Sequence, residues 1–183
     1  MGTPTAVAKG QLRASDTVRC VLRIIPFTVA DYDGVLALSL RAWEAVFPLV
    51  EEAVSPFVYR AFYPRGWRIR QYNDLAAVLR DEPENVDVAF LGSRIAGWVC
   101  TRTHPDDHMG EVYVLAVDPE CQRQGVGRAL LDHSIERSRT AGMVMVMVET
   151  GDDPGHAPAR RAYEANGFAR WPVARYFRDL TDQ

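Results

Sequence analysis

Apolar residues change their period along this chain. From Val35 to Phe47 they fall three and four apart, as Val35, Leu38, Ala42, Trp43, Val46 and Phe47, with Ser39 in the same row. That spacing lays an apolar stripe along one face of a helix. Thr28 followed by Asp31 reads as its start, a hydroxyl cap with a carboxylate three residues on. Pro48 should kink or end it. Ahead of it, Cys20 to Pro26 predicts a short strand stopped by proline. Residues 51–66 hold Glu51-Glu52, two prolines and the aromatics Phe57, Tyr59, Phe62 and Tyr63, and predict short helical pieces and turns. Arg70 to Arg80 predicts another helix on the stripe Tyr72, Leu75, Ala76 and Leu79.

Beyond residue 85 strand patterns appear. Val86–Leu91 and Ile95–Thr101 flank Gly92-Ser93 and predict a hairpin. His104 to His108 is a polar turn. Glu111–Val117 is a strand closed by Asp118-Pro119. Gly125–Thr140 is a helix with Leu130, Leu131, Ser134, Ile135 and Ser138 facing inward, ended at Ala141-Gly142. The run Met143–Val148 is apolar without a break, as expected of a strand covered on both faces. Pro158 suits a first helical turn, and the helix it opens should end at Gly167 in a left-handed cap. Phe168–Trp171 and Val173–Asp179 predict two final strands around Pro172. The layout is one α/β domain over residues 18–183 with a mixed sheet. Residues 1–17 read as a flexible tail, and no repeat or linker divides the rest.

Composition narrows the function classes. The chain has 183 residues, 48% apolar and 25% charged, the mix of an ordinary globular protein. Lys and Arg number 21 against 24 Asp and Glu, a net charge of −3. A nucleic-acid partner is not expected, because phosphate contacts need concentrated positive charge. No stretch reaches about 18 apolar residues, so no membrane partner is expected either. Cys20, Cys100 and Cys121 form no CxxC pair, which argues against a disulfide framework or structural zinc. With no apolar leader, the expected compartment is the cytoplasm. His104, Asp106, Asp107 and His108 read as a solvated turn, and no metal site is assigned.

The richest stretch runs from Val112 through Asp118-Pro119 to Gln122-Arg123-Gln124-Gly125-Val126-Gly127-Arg128. It reads as strand, tight turn and helix. Glycines at a helix start let a ligand approach the backbone. The unpaired N–H groups there and the helix dipole favour an anion. Arg123 and Arg128 add charge beside it. A pyrophosphate suits this arrangement. The GxGxxG fingerprint and the Gly-Lys-Ser/Thr ending of nucleotide loops are both missing. About one helix later comes His156, Ala159, Tyr163, Gly167 and Phe168.

Together these two segments resemble the GNAT superfamily of N-acetyltransferases. Members carry a Gln/Arg-x-x-Gly-x-Gly/Ala turn after the fourth strand, here Gln122 to Gly127. They also carry an Asn-x-x-Ala-x-x-x-Tyr-x-x-x-Gly-Phe segment, here from His156 to Phe168 with His in place of Asn. Leu22-Arg23 and Pro26 look like the family's first strand, and the likeness spans roughly residues 20–180. It implies a mixed, mostly antiparallel sheet flanked by helices and splayed between its fourth and fifth strands.

The resemblance also implies a co-substrate and a mechanism. Acetyl-CoA is the co-substrate. The backbone of Leu115, Ala116 and Val117 pairs with its pantetheine arm, and Arg123, Gln124, Gly125, Val126, Gly127 and Arg128 hold its pyrophosphate. His156 lies near the cofactor, bonding to it or capping a helix. Transfer is direct: an amine attacks the thioester and thiolate leaves. Tyr163 occupies the general-acid position; a phenol, with a reference pKa of about 10, is protonated at neutral pH. Glu111 is the candidate base, with His104 and His108 as alternatives.

The first helices form a wall of the acceptor site in such proteins. Here that wall is aromatic and acidic, with Trp43 and Phe47 in it and Asp107 and Asp152 near the same mouth. Carboxylates attract a cationic amine, and aromatic faces stack on sugars or cover alkylammonium groups. The expected partner is a small-molecule amine, first of all an aminoglycoside or amino sugar. The alternatives are a polyamine, an amino acid, a protein or peptide amine, or a non-catalytic acetyl-CoA-binding module. The final strands are a possible homodimer contact.

Overall fold

The computed structural model describes residues 21–181. The expected tail, residues 1–17, lies outside them. Five strands form one sheet in the order β1-β2-β3-β4-β5: Leu22–Pro26, Val86–Leu91, Arg94–His104, Met109–Val117 and Met145–Val148. Neighbours run antiparallel except β4 and β5, which are parallel. This is the expected mixed, mostly antiparallel sheet. Six α-helices accompany it: α1 (Tyr32–Trp43), α2 (Phe47–Ala53), α3 (Pro56–Phe62), α4 (Trp67–Asp81), α5 (Val126–Thr140) and α6 (Ala157–Ala165).

The helix stripes decide which face of the sheet each covers. Val35 and Leu38 of α1 and Leu75 and Leu79 of α4 pack on Val86, Val88 and Trp98 of one face. Val126, Leu130 and Leu131 of α5 pack on Ala89, Ala96, Val99 and Val112 of the other. Buried polar groups in these layers are paired, as a dry interior requires. Trp98 Nε1 donates to Ser39 Oγ at 2.8 Å, and Ser39 Oγ donates to the Val35 carbonyl at 2.7 Å. Thr101 Oγ1 donates to Ser134 Oγ at 2.8 Å. Gly97 lets α5 approach, since a methyl there would stand 2.7 Å from the Ala116 carbonyl oxygen and 3.0 Å from Leu130.

Three expectations are corrected. The first helix ends at Trp43, before Pro48, which instead lies in the first turn of α2. Proline fits there because the first turn has no intrahelical acceptor for its missing N–H. The two final strands do not form: residues 168–179 carry no regular structure, and Trp171, Val173 and Tyr176 are exposed. Strand propensity without a paired ladder is not enough, and Pro172 removes a donor in mid-run. For the same reason β5 is not covered on both faces. Val146 and Val148 rest on the α5-side core, while Met145 is exposed. Gly167, by contrast, takes the expected left-handed conformation after α6, at φ +85°.

Candidate active site

The site starts where the ladder between β4 and β5 stops. Pairing runs from Met109 with Met145 to Val112 with Val148, while β4 itself continues to Val117. The edge of residues 113–117 that faces away from β3 therefore has no partner in β5. A bulge lies at the same point. Cys100 pairs with Val114 and Thr101 with Val112, which leaves Tyr113 unpaired. An extra residue bends its strand, so the two strands part as the sequence resemblance implies. Leu115 and Val117 rest against the α5-side core, and Ala116 is buried on the opposite face.

β4 leads into the turn at 122–125. Gly125 stands before the first residue of α5 with φ +85° and open space where a side chain would be, and no side chain caps the helix. The N–H groups of Val126, Gly127 and Arg128 are the first-turn donors that a helix cannot satisfy internally. Arg123, also at positive φ, and Arg128 are exposed beside them. The side chain of Gln124 is spent bracing the turn, donating to the Glu120 carbonyl at 2.9 Å.

Sequence reasoning missed the residue that holds this turn. Asp118 is fully buried. Its carboxylate accepts from Arg41 at 2.5 Å, from Arg94 at 3.1 Å and from the Glu120 N–H at 2.9 Å. Burial pushes its pKa up, but the two guanidinium groups and the N–H outweigh that and hold it below the usual carboxylate range. One side chain thus ties α1, β3 and the turn together. Its only local signal is the Asp-Pro-Glu sequence, in which Asp118 caps the short turn of 119–121.

Tyr163 of α6 packs against the same core layer as Leu115, Val117 and Val148, its ring 6.0 Å from that of Phe168. Burial raises its pKa above the ordinary phenol value, which keeps the hydroxyl protonated. Glu111 faces the α1 side of β4, opposite Arg102 in the register. It does not stand alone: His104 Nε2 lies 2.8 Å from its Oε2, with the carboxylate the more buried partner. Beside them Arg102 pairs with Glu82 and lies over the Tyr113 ring. His108 is exposed in the β3–β4 turn.

The aromatic wall forms, though not with every expected residue at its surface. Phe47 is buried and stacks on Trp67 at 4.5 Å, with Tyr63 edge-on at 5.3 Å and Tyr59 next to Tyr63. Phe47 therefore backs the wall and is not available for contact. Trp43 packs on the α1-side core. Asp107 lies in the β3–β4 turn, at the end of the sheet where β4 and β5 still run together, and so away from the opening. Asp152 is exposed, with its carboxylate 2.7 Å from Arg170 and 3.6 Å from Arg160. His156, just before α6, is bound to Asp153.

Comparison with known proteins agrees with this geometry. The acetyltransferase (GNAT) family model matches residues 46–168. A mycothiol acetyltransferase of Thermomonospora curvata is 38% identical over 92 residues, half of this chain and 30% of that protein. The chain thus spans about a third of the length of such curated relatives. Among solved structures, the ribosomal-protein-S18-alanine N-acetyltransferase of Escherichia coli superposes with a TM-score of 0.61 at 21% identity, covering 88% of this chain and 86% of that one. An aminoglycoside acetyltransferase from an uncultured soil metagenomic sample gives 0.55 at 22% identity, covering 87% and 96%. Strand order, the parting of β4 from β5, the glycine turn and the family match together make this chain a member of the GNAT acetyltransferase family.

Proposed function

We propose that this protein transfers an acetyl group from acetyl-CoA to a primary amine of a small cationic acceptor, with an amino sugar or aminoglycoside-type amine foremost. One observation carries the reading: β4 and β5 part after Val112 and Val148, and α5 begins beside the freed edge without a side-chain cap. The residues present suit acetyl-CoA. The free edge at 113–117 suits an extended amide-bearing arm, as an added strand would. The open space at Gly125 and the N–H groups of residues 126–128 suit a pyrophosphate.

When bound, acetyl-CoA supplies an acyl thioester and a thiolate leaving group. The chain supplies proton transfers and position. Glu111 takes the proton that an acceptor ammonium must lose before its lone pair can attack, and His104, the more exposed partner, passes it to solvent. Tyr163 gives its proton to the departing sulfur. The stacked rings of Phe47 and Trp67, with Tyr63 and Tyr59 beside them, give the opening an aromatic side on which the carbon frame of an acceptor packs. The relatives' names support amine acetylation without naming this chain's acceptor.

The test is thiol release from acetyl-CoA over a panel of amines, with mass spectrometry of the products. The panel holds aminoglycosides, glucosamine, polyamines, amino acids and peptides with N-terminal alanine. We expect acetylated product on the amino-sugar class. Product on peptides alone moves the acceptor to a protein amine. Acetyl-CoA binding with no product on any amine makes the chain a binding module.

A further inference from the structure

Glu111 stands opposite an arginine with which it does not pair. Its direct partner in the β3–β4 register is Arg102. Arg102 follows Cys100 by two residues and so shares its face, the one that packs in the α1-side core. Opposite charges placed in this way usually join across the strands, where Cβ atoms are about 4.5–5.5 Å apart. Here each goes elsewhere: Arg102 to Glu82, and Glu111 to His104.

Several groups hold Arg102 in this position. Glu82, the residue that closes α4, accepts from its Nε at 2.9 Å on one carboxylate oxygen and from its Nη2 on the other. A two-bond fork of this kind fixes geometry as well as charge. Asn85 Nδ2 donates to the same carboxylate at 3.1 Å. Tyr113, the bulged residue of β4, has its ring centroid 3.1 Å from the guanidinium carbon. Leu75, Val78 and Leu79 lock α4 into the core, so Glu82 has a fixed place. The side chains of Arg102 and Glu82 are only 29% and 19% exposed, unlike the solvated surface pairs that contribute little. The hydrogen bond from Arg102 holds the Glu82 carboxyl below the usual carboxylate range.

A guanidinium fixed beside a carboxylate favours its charged form and weakens it as a base. Histidine is the better neighbour, because it can hand a proton on near neutral pH. The charged groups around Glu111 are His104 and Arg102 on β3 and, behind Arg102, Glu82 from the end of α4. Tyr113 on its own strand and Cys100 on β3 are the other titratable side chains there. Burial pushes the Cys100 thiol up to about 12, so it carries no charge. Met147, opposite on β5, is apolar. We propose that Glu82 is a positioning residue for acetyl transfer: it holds Arg102 off Glu111 and offsets its charge, which leaves Glu111 to His104. This rests on the reading of Glu111 as the base.

The test is the pH profile of kcat/KM on the best acceptor of the panel, with the full chain. Its acid limb belongs to the Glu111–His104 pair as a unit. In Glu82→Gln the guanidinium is released toward its cross-strand partner. The limb should then move down by roughly one pH unit, and the plateau rate should fall roughly threefold to tenfold, with acetyl-CoA KM unchanged. Adding Arg102→Met, which removes the guanidinium, should return both. Glu82→Asp, which keeps the charge, should retain part of each. In Arg102→Met alone the limb should move up instead, because a positive charge leaves and a negative one stays. That variant decides the matter if Glu82→Gln does not fold. An unmoved limb in Glu82→Gln overturns the proposal, whatever the rate, and makes the Glu82–Arg102 pair structural. So does a shift that Arg102→Met leaves in place in the double variant, or an unmoved or lowered limb in Arg102→Met alone. Glu111→Gln, measured beside them, keeps the two readings apart. If it retains kcat and the limb, Glu111 is not the base and the proposal falls with that role. If it loses both while Glu82→Gln leaves the limb in place, the proposal alone falls.

Discussion

Replacing Tyr163 with phenylalanine should lower kcat by roughly 10²–10³-fold, the range for losing a positioned general acid, with little change in the KM for acetyl-CoA. The hydroxyl is the one group removed. The ring keeps its place beside Phe168 and against the core layer of Leu115 and Val117, so the fold has no reason to move. Burial holds the Tyr163 pKa above that of a free phenol. The acid form is therefore present throughout the neutral range, and the fall in rate should be independent of pH up to about pH 9–10. Steady-state kinetics on the best acceptor of the panel checks this. A rate within about threefold of the unaltered protein would leave Tyr163 a packing residue, since an acid role predicts far more.

Asp118→Ala should be the most damaging single change to stability outside the apolar layers. Removing one partner of a buried ion pair typically costs 3–5 kcal/mol. Here the loss should be about 2–3 kcal/mol, because Arg41 and Arg94 are half-exposed and can rehydrate once freed. In a chain of this length that lowers Tm by roughly 5–10 °C, read by thermal unfolding. The turn at 122–125 should loosen with it, so acetyl-CoA KM should rise. The acid response follows from the same carboxylate. Asp118, Asp87, Asp153 and Glu82 all have pKa values held below the ordinary carboxylate range. Such groups bind protons more tightly in the unfolded chain. They stabilise the fold at neutral pH and cease to do so as pH falls through their folded-state values, below about pH 4. Asp118→Ala should make that acid loss shallower.

The range of each interaction decides how far it was legible in the sequence. The strand, glycine turn and helix over 112–140 were legible because each signal is local: Asp118-Pro119 stops β4, Gly125 supplies the positive φ, and Leu130 and Leu131 set the buried row. Gly167 was legible for the same reason. The role of Asp118 was not, because Arg41 lies 77 residues away in sequence. The pairing of His104 with Glu111 depends on the β3–β4 register, in which Arg102 stands opposite Glu111 and His104 opposite Met109. Asp153 and His156 carry a readable signal, an Asp-Pro start with its histidine three residues on, and the two side chains are bonded to each other. The final strands mislead because alternation reports propensity, whereas a strand needs a partner, and Trp171 to Phe177 have none among the described residues.

Amide hydrogen exchange on the full chain, with and without acetyl-CoA, probes the proposed grip on the ligand at the residues that make it. Those residues are the free edge of β4 and the first turn of α5. Exchange should slow at those amides of residues 113–117 that face away from β3 and at residues 126–128, which gain partners, and stay unchanged in β1 and β2 at the far edge of the sheet. Protection confined to other segments, or no response at saturating acetyl-CoA, would refute this placement of the ligand.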